Sequence, residues 1–330
     1  MKIVKTKMIK SNFDDNTNYA PIIIPTLCRY EHFKRCMESL SQCTLADRTD
    51  VYIGLDYPAK ESHWDGYKKI KRYLNETTFN FSKLIIFERE RNYGPSGNFH
   101  GLIKHVFQNY DRIIISEDDN LFSRNFLVYI NKGLKKFAND KSVFSINGYK
   151  HPHKLKFKEN TYLRQNVDFS AWGYGIWKDR WENIPSPDYF RKNFNLRRFF
   201  KMEKEIGANR AFQFWGWSKQ IPLDWWDSSF GVYAYLEKKY MITPVKTSLV
   251  RNMGWDGSGV NCPANVQTYL TQEISQEKTF DYIGTGFEYF EENRNIYRNN
   301  SFARVSFIQA CKKNVKIIIQ YIFKIAKQKI

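Results

Sequence analysis

Four short runs rich in β-branched residues (PIIIPT at 21–26, VYIGLD at 51–56, Lys83–Phe87 and RIIIS at 112–116) alternate with segments of helical spacing in the first third of the chain. Phe33, Met37 and Leu40 lie on one helical face, Tyr67, Ile70 and Leu74 on another, and a third helical pattern runs from about Phe99 to Gln108. Runs apolar at nearly every position are strands buried on both faces, and strands separated by helices pair in parallel. The expected fold is therefore α/β, with a mostly parallel, Rossmann-like central sheet flanked by helices. Such sheets place their sites at the carboxyl ends of the strands. Asp56 and the run Glu117-Asp118-Asp119 both fall there.

Beyond Asn120 a helix is expected over Phe126–Phe137 and a strand over Ser142–Gly148. The second half reads as irregular and rich in Trp, Pro and Gly, and no repeat is found. These features suggest a loose N-terminus at 1–18, a first half at 19–150, a second half at 151–300 and a basic tail at 301–330. The tail holds Arg304, Lys312, Lys313, Lys316, Lys324, Lys327 and Lys329 and no acid. Written as a helix, it gathers Ile308, Val315, Ile318, Ile319, Ile322, Ile325 and Ala326 on one face and lysines on another. A helix of this kind suits either the anionic face of a membrane or the body of the protein.

The formal net charge of +18 favours phosphate-bearing partners. Nucleic acid is not expected among them, because no zinc-ligand spacing or RNA-binding aromatic motif is present. Five unpatterned cysteines fit free thiols, and no apolar stretch reaches the ~18 residues of a membrane span. With no signal peptide in MKIVKTKMIKSNFDDN, a cytoplasmic location is expected, with peripheral membrane contact as an option.

Three acids directly after a β-branched run cannot all enter a core, so the turn is expected to expose at least two. A hard cation such as Mn²⁺ or Mg²⁺ prefers carboxylate oxygens and leaves coordination positions for substrate phosphates. A solvated turn or a helix cap would use the same residues.

Four stretches extend this reading: PIIIPTLCRYEHFKRCMESL, VYIGLDYPAKES, IIISEDDNLFSRNFLVYI, and DFSAWGYGIWKDRWENI followed by WWD. In that order they resemble GT-A-fold glycosyltransferases, especially N-acetylglucosaminyltransferase I and its bacterial relatives. The resemblance implies inverting, metal-assisted transfer of a sugar from a nucleotide-sugar donor, with UDP as the family's usual nucleotide. The acceptor would be a hydroxyl on a glycan or lipid-linked saccharide, as in polysaccharide biosynthesis. It implies Arg29 at the donor diphosphate, Asp56 at the base or ribose, and Glu117 and Asp118 at the ribose and donor sugar. Asp119 would be the metal ligand, Asn98 a further donor contact, and Ser258 part of a Gly-rich loop over the phosphates. Asp227 would be the general base. Ser228 stands where the family has a second acid, and the family's eukaryotic anchor and stem are not expected here.

Other readings of these residues stay open. Asp227 also suits a helix cap, Asp224 is an alternative base, and Asn98 and Ser258 suit ordinary loops. Trp172, Trp177, Trp181, Trp215 and Trp217 suit a sugar-stacking wall or a core. His151 and His153 suit metal ligation or a solvent loop. A nucleotidyltransferase would use the same strand-end acids but release pyrophosphate, and a non-catalytic nucleic-acid-binding module is the other class.

Overall fold

The computed structural model describes residues 2–8, 19–152, 162–166, 169–219, 226–258, 266–282 and 306–313, with 315 and 319. The first half holds strands β1 (Lys2–Met8), β2 (Ile22–Thr26), β3 (Asp50–Leu55), β4 (Lys83–Glu88), β5 (Arg112–Ile115), β6 (Asn120–Phe122) and β7 (Val143–Asn147). Among them lie helices α1 (Tyr30–Ser41), α2 (Trp64–Glu76), α3 (Gly94–Val106) and α4 (Phe126–Lys136). Strands β8 (Tyr162–Gln165) and β9 (Tyr174–Trp177) follow, then helices α5 (Lys178–Glu182), α6 (Pro187–Asn193), α7 (Leu196–Ile206), α8 (Ala208–Lys219) and α9 (Trp226–Leu236). Strands β10 (Tyr240–Pro244) and β11 (Val250–Asn252), and helices α10 (Gln267–Leu270) and α11 (Phe307–Lys313), complete the described elements.

Nine strands form one sheet in the order β1-β4-β3-β2-β5-β9-β7-β10-β8, and β6 and β11 form a second, two-stranded sheet. The block β4-β3-β2-β5 is parallel throughout. Strand β9 enters antiparallel between β5 and β7, so the second half of the sequence completes the sheet of the first. This is the expected α/β architecture, a Rossmann-like parallel block flanked by helices and continued by a mixed one.

The two-residue period of the strands explains why whole runs are apolar. Ile22, Ile24 and Ile114 face the layer of α1, α2 and α4, whereas Ile23, Ile113 and Ile115 face α3 and the second-half helices. Each such side chain contributes about 1.5–3 kcal/mol by leaving water. A polar substitution in β2 would therefore damage one layer or the other.

Two expectations differ from the structure. Lys2–Met8, read as loose, forms an edge strand antiparallel to β4. Its lysines conceal the strand in sequence, although charge is common on sheet edges. The second half is also more regular than expected. Helix α7 buries Phe199, Met202 and Ile206 at helical spacing, and the Asn195 side chain accepts a hydrogen bond from the Arg198 N–H as its cap.

Candidate active site

The parallel strands end on one rim. Strand β2 leads to Arg29, the residue capping α1, β3 to Asp56, β4 to Arg89, and β5 to Ser116-Glu117-Asp118-Asp119. Contrary to the sequence expectation, Asp118 and Asp119 are buried, and only Glu117 is partly exposed. Burial is possible because partners converge on them. Thr26 Oγ1 donates to Asp118 Oδ2 at 2.8 Å, and the Arg29 guanidinium bridges Asp118 and Asp119, reaching Asp119 Oδ2 at 2.8 Å. Asn252 Nδ2 donates to Asp119 Oδ1 at 2.6 Å.

That last bond depends on the small sheet. Pairing of β6 with β11 sets Asn252 opposite Asn120 and brings the following turn against the acids. Met253 N–H donates to the Asp119 carbonyl. Gly254 approaches so closely that a Cβ there would overlap Asp119 Oδ2. Gly257 closes the turn with φ at +94°, a conformation that favours glycine.

Two carboxylates facing one guanidinium leave a net negative charge in a buried place. Burial raises the Asp119 pKa, the Asp118 charge adds to that rise, and Arg29 opposes it. Burial disfavours the Arg29 cation, but the two carboxylates outweigh it and raise the Arg29 pKa. Removing one partner of such an arrangement costs more than the pair itself contributes, because the other charge stays desolvated. Arg29→Met is therefore expected to lower unfolding free energy by roughly 3 kcal/mol at neutral pH. The deficit should shrink on acidification, because the Asp119 carboxyl, raised by burial and no longer opposed by Arg29, takes up a proton more readily in the folded variant than in the unfolded chain. Urea unfolding of both proteins across mildly acidic to neutral pH measures this. An equal deficit at every pH would contradict it.

Two residues that the sequence reading missed stand beside this centre. His32, one turn into α1 from Arg29, lies 3.0 Å from Asp256 Oδ2 through its Nε2 and 3.4 Å from Ser258 Oγ. Ser258 N–H donates to Asp256 Oδ1 at 2.9 Å. Burial works against the Asp256 charge, but hydrogen bonds from Ser258 together with His32 hold its carboxyl below the ordinary range. The i, i+3 spacing of Arg29 and His32 on a helix was the available signal. The partners of His32, more than 200 residues away, carried none.

Asp56 is buried and works as a stitch. Its Oδ1 accepts the N–H groups of Tyr57 and Tyr93, each at 2.9 Å, and Asn92 Nδ2 is 3.4 Å from its Oδ2. Asn98 lies beneath the rim with its side chain engaged by the scaffold. Its amide donates to Gly54 O at 2.7 Å, and its carbonyl accepts from Arg89 Nε at 2.9 Å.

Asp227 lies in the first turn of α9, and its side chain is outside the described residues, as are Asp224 and His153 altogether. The course of α9 is nevertheless clear. Phe230 packs near Tyr174, which pairs with Ile115 at the carboxyl end of β5. Tyr233, one turn later, packs on Phe144, and the chain then enters β10 at Tyr240 opposite Val143. Helix α9 thus runs down from the rim that carries the acids. Its first turn lies toward that end of the sheet.

Trp177 and Trp215 are buried, and Trp181 packs on Phe230. Trp172 and His151 belong to an aromatic cluster with Tyr149 and Tyr269, and Trp255 stacks on Tyr269 at 4.2 Å. The Trp217 side chain lies outside the described residues.

No family model and no curated protein matches the chain. Among solved structures it is similar to S. aureus TarS 1-349, with 10% identity, a TM-score of 0.39, and 72% of this chain and 61% of that one covered. It is also similar to the mannosyltransferase PcManGT from Pyrobaculum calidifontis in complex with GDP-Man and Mn²⁺, with 13% identity, a TM-score of 0.38, and 69% and 73% covered. S. aureus TarS 1-349 in complex with UDP gives 11% identity, a TM-score of 0.36, and 70% and 59% covered. The chain thus spans about three fifths of the length of the first of these. At such scores the likeness is partial, and any functional reading rests on the residues of the rim.

Proposed function

We propose that the chain is an inverting, metal-assisted glycosyltransferase that moves a sugar from a nucleotide-sugar, with UDP as the favoured nucleotide, to an acceptor hydroxyl. The observation that carries this reading is the Asp118–Asp119 pair at the end of a central strand, with more negative charge than Arg29 neutralises. Among the described residues no three His, Cys, Asp or Glu side chains converge as a closed metal cage. An oxygen-rich, under-compensated site fits a hard cation such as Mn²⁺ or Mg²⁺ that takes its remaining ligands from phosphate and water. Asp119 would hold that ion, which when bound would offset charge on the leaving diphosphate.

The other roles fall to the chain itself. Arg29 orients the diphosphate, with Ser258 at its edge. Asp56 receives the base or ribose, and Glu117 and Asp118 the ribose and donor sugar, with Asn98 on the donor side. Asp227 accepts the proton of the acceptor hydroxyl as that hydroxyl attacks the anomeric carbon from the face opposite the leaving group. Residues 19–150 would form the donor half and 151–300 the acceptor half. A glycan or lipid-linked saccharide, met in the cytoplasm during polysaccharide biosynthesis, is the acceptor class that this reading favours.

A thermal-shift screen of nucleoside diphosphates with and without Mn²⁺ tests the proposal. One nucleotide, UDP on this reading, should raise the melting temperature only when the cation is present. At a hundred times its dissociation constant a ligand adds ~2.7 kcal/mol to stability. Flat responses to every nucleotide and cation pair would rule the proposal out.

A further inference from the structure

We propose that α7 and α11 together form a membrane-seating surface for anionic lipid. Among the described residues every exposed large hydrophobic side chain except Tyr93 lies on α7 or in the C-terminal segment. Leu196 and Phe200 on α7, and Phe307 and Ile308 on α11, are 43–67% exposed. The two helices meet, with the Phe200 and Phe307 rings 6.4 Å apart and Phe307 also near Phe212 of α8.

The attachment of α11 leaves its most apolar face uncovered. Ala310 is fully buried and Cys311 packs against the core, so the face holding 307, 310 and 311 faces α8. Ile308, Val315 and Ile319 recur at i, i+7 and i+11 on a different face, and all three are exposed. A helix docked only to close the protein would turn that second face inward.

The charges select the occupant. Arg197, Lys201, Lys204 and Lys312 are exposed around the apolar patch. Of the acids on α7, Glu205 is turned to the body, where it accepts from the Tyr235 hydroxyl at 2.6 Å, and Glu203 is partly buried. Aromatic and aliphatic side chains ringed by lysine and arginine suit the headgroup–acyl boundary of a bilayer, where long basic side chains extend to the phosphates. A second copy of this chain would bring the same positive ring against itself. No helix among the described residues is long and apolar enough to cross a membrane, so the contact would be peripheral.

Co-sedimentation of the full chain with phosphatidylcholine vesicles, with and without phosphatidylglycerol, tests this independently of the reaction. Binding is expected only to the anionic vesicles and should weaken as salt rises. Phe200→Ser with Ile308→Ser should weaken it about tenfold or more. Lys201→Glu with Lys204→Glu should weaken it about fivefold or more per residue. Both doubles should keep the parental melting temperature and nucleotide response. Should the apolar double fail to fold, the charge double, altered only at exposed positions, still decides. Equal binding to neutral vesicles, or charge variants that bind like the parent, would overturn the proposal. So would a solution dimer that Phe200→Ser dissociates, since that would assign the patch to a second copy.

Discussion

Asp119→Asn is expected to abolish the cation-dependent part of nucleoside diphosphate binding while leaving a chain that melts no earlier than the parent at neutral pH. Asparagine keeps the shape and can still accept the Asn252 hydrogen bond, but it removes the carboxylate that attracts a cation. The stability expectation follows from the direction of the Asp119 shift. Its pKa is raised by burial, with Asp118 adding to the rise. A carboxyl of that kind contributes stability that is present below its unfolded pKa and lost as pH rises through its folded one. At neutral pH its charge is therefore a burden, and Arg29 retains Asp118 as a partner when that charge is removed. The nucleotide-dependent thermal shift, ~2.7 kcal/mol near saturation in the parent, should vanish. In the parent it should fade on acidification at a higher pH than an unperturbed aspartate would require. Gly254→Ala should weaken the same response without changing any charge, because its methyl would meet Asp119 Oδ2. An Asp119→Asn chain with an undiminished cation-dependent shift would remove Asp119 from the site.

Much of this centre was legible in the sequence because its physics is local. Runs such as Ile22–Ile24 and Ile113–Ile115 are apolar at every position only when both faces are covered, and the acids that follow the second must then lie at a strand's carboxyl end. What the sequence could not convey was who neutralises the acids. Their burial depends on Thr26 and Arg29, about ninety residues earlier, and on Asn252, 133 residues later. The same distance hides His32 and Asp256 from one another. Asn98 shows the reverse problem. A polar residue that reads as part of a glycine-rich loop suggests a ligand contact, yet it lies within α3 and its bonds to Gly54 and Arg89 fasten the ends of β3 and β4. Lys2–Met8 is obscured by its lysines, and α7 by the Trp- and Gly-rich segments around it, although Phe199, Met202 and Ile206 have plain helical spacing.

Asp227→Asn is expected to lower turnover by about 10²–10⁴-fold while leaving nucleotide binding within twofold or so of the parent. The split follows from where α9 begins. Its Phe230 contact with Tyr174 ties the helix to the rim, whereas the descent to Tyr240 carries everything after that turn away from it. A base in the first turn would act on the acceptor alone, so its loss should appear in kcat and spare the donor site. A first-turn carboxylate that merely balances the positive end of α9 predicts a different pattern. Its replacement by asparagine would cost at most about 1 kcal/mol of stability and leave turnover nearly unchanged. Product analysis in the same assay identifies the reaction. A nucleoside diphosphate released in step with glycosylated acceptor is the expected outcome, whereas pyrophosphate would signify nucleotidyl transfer and take the base role away from Asp227.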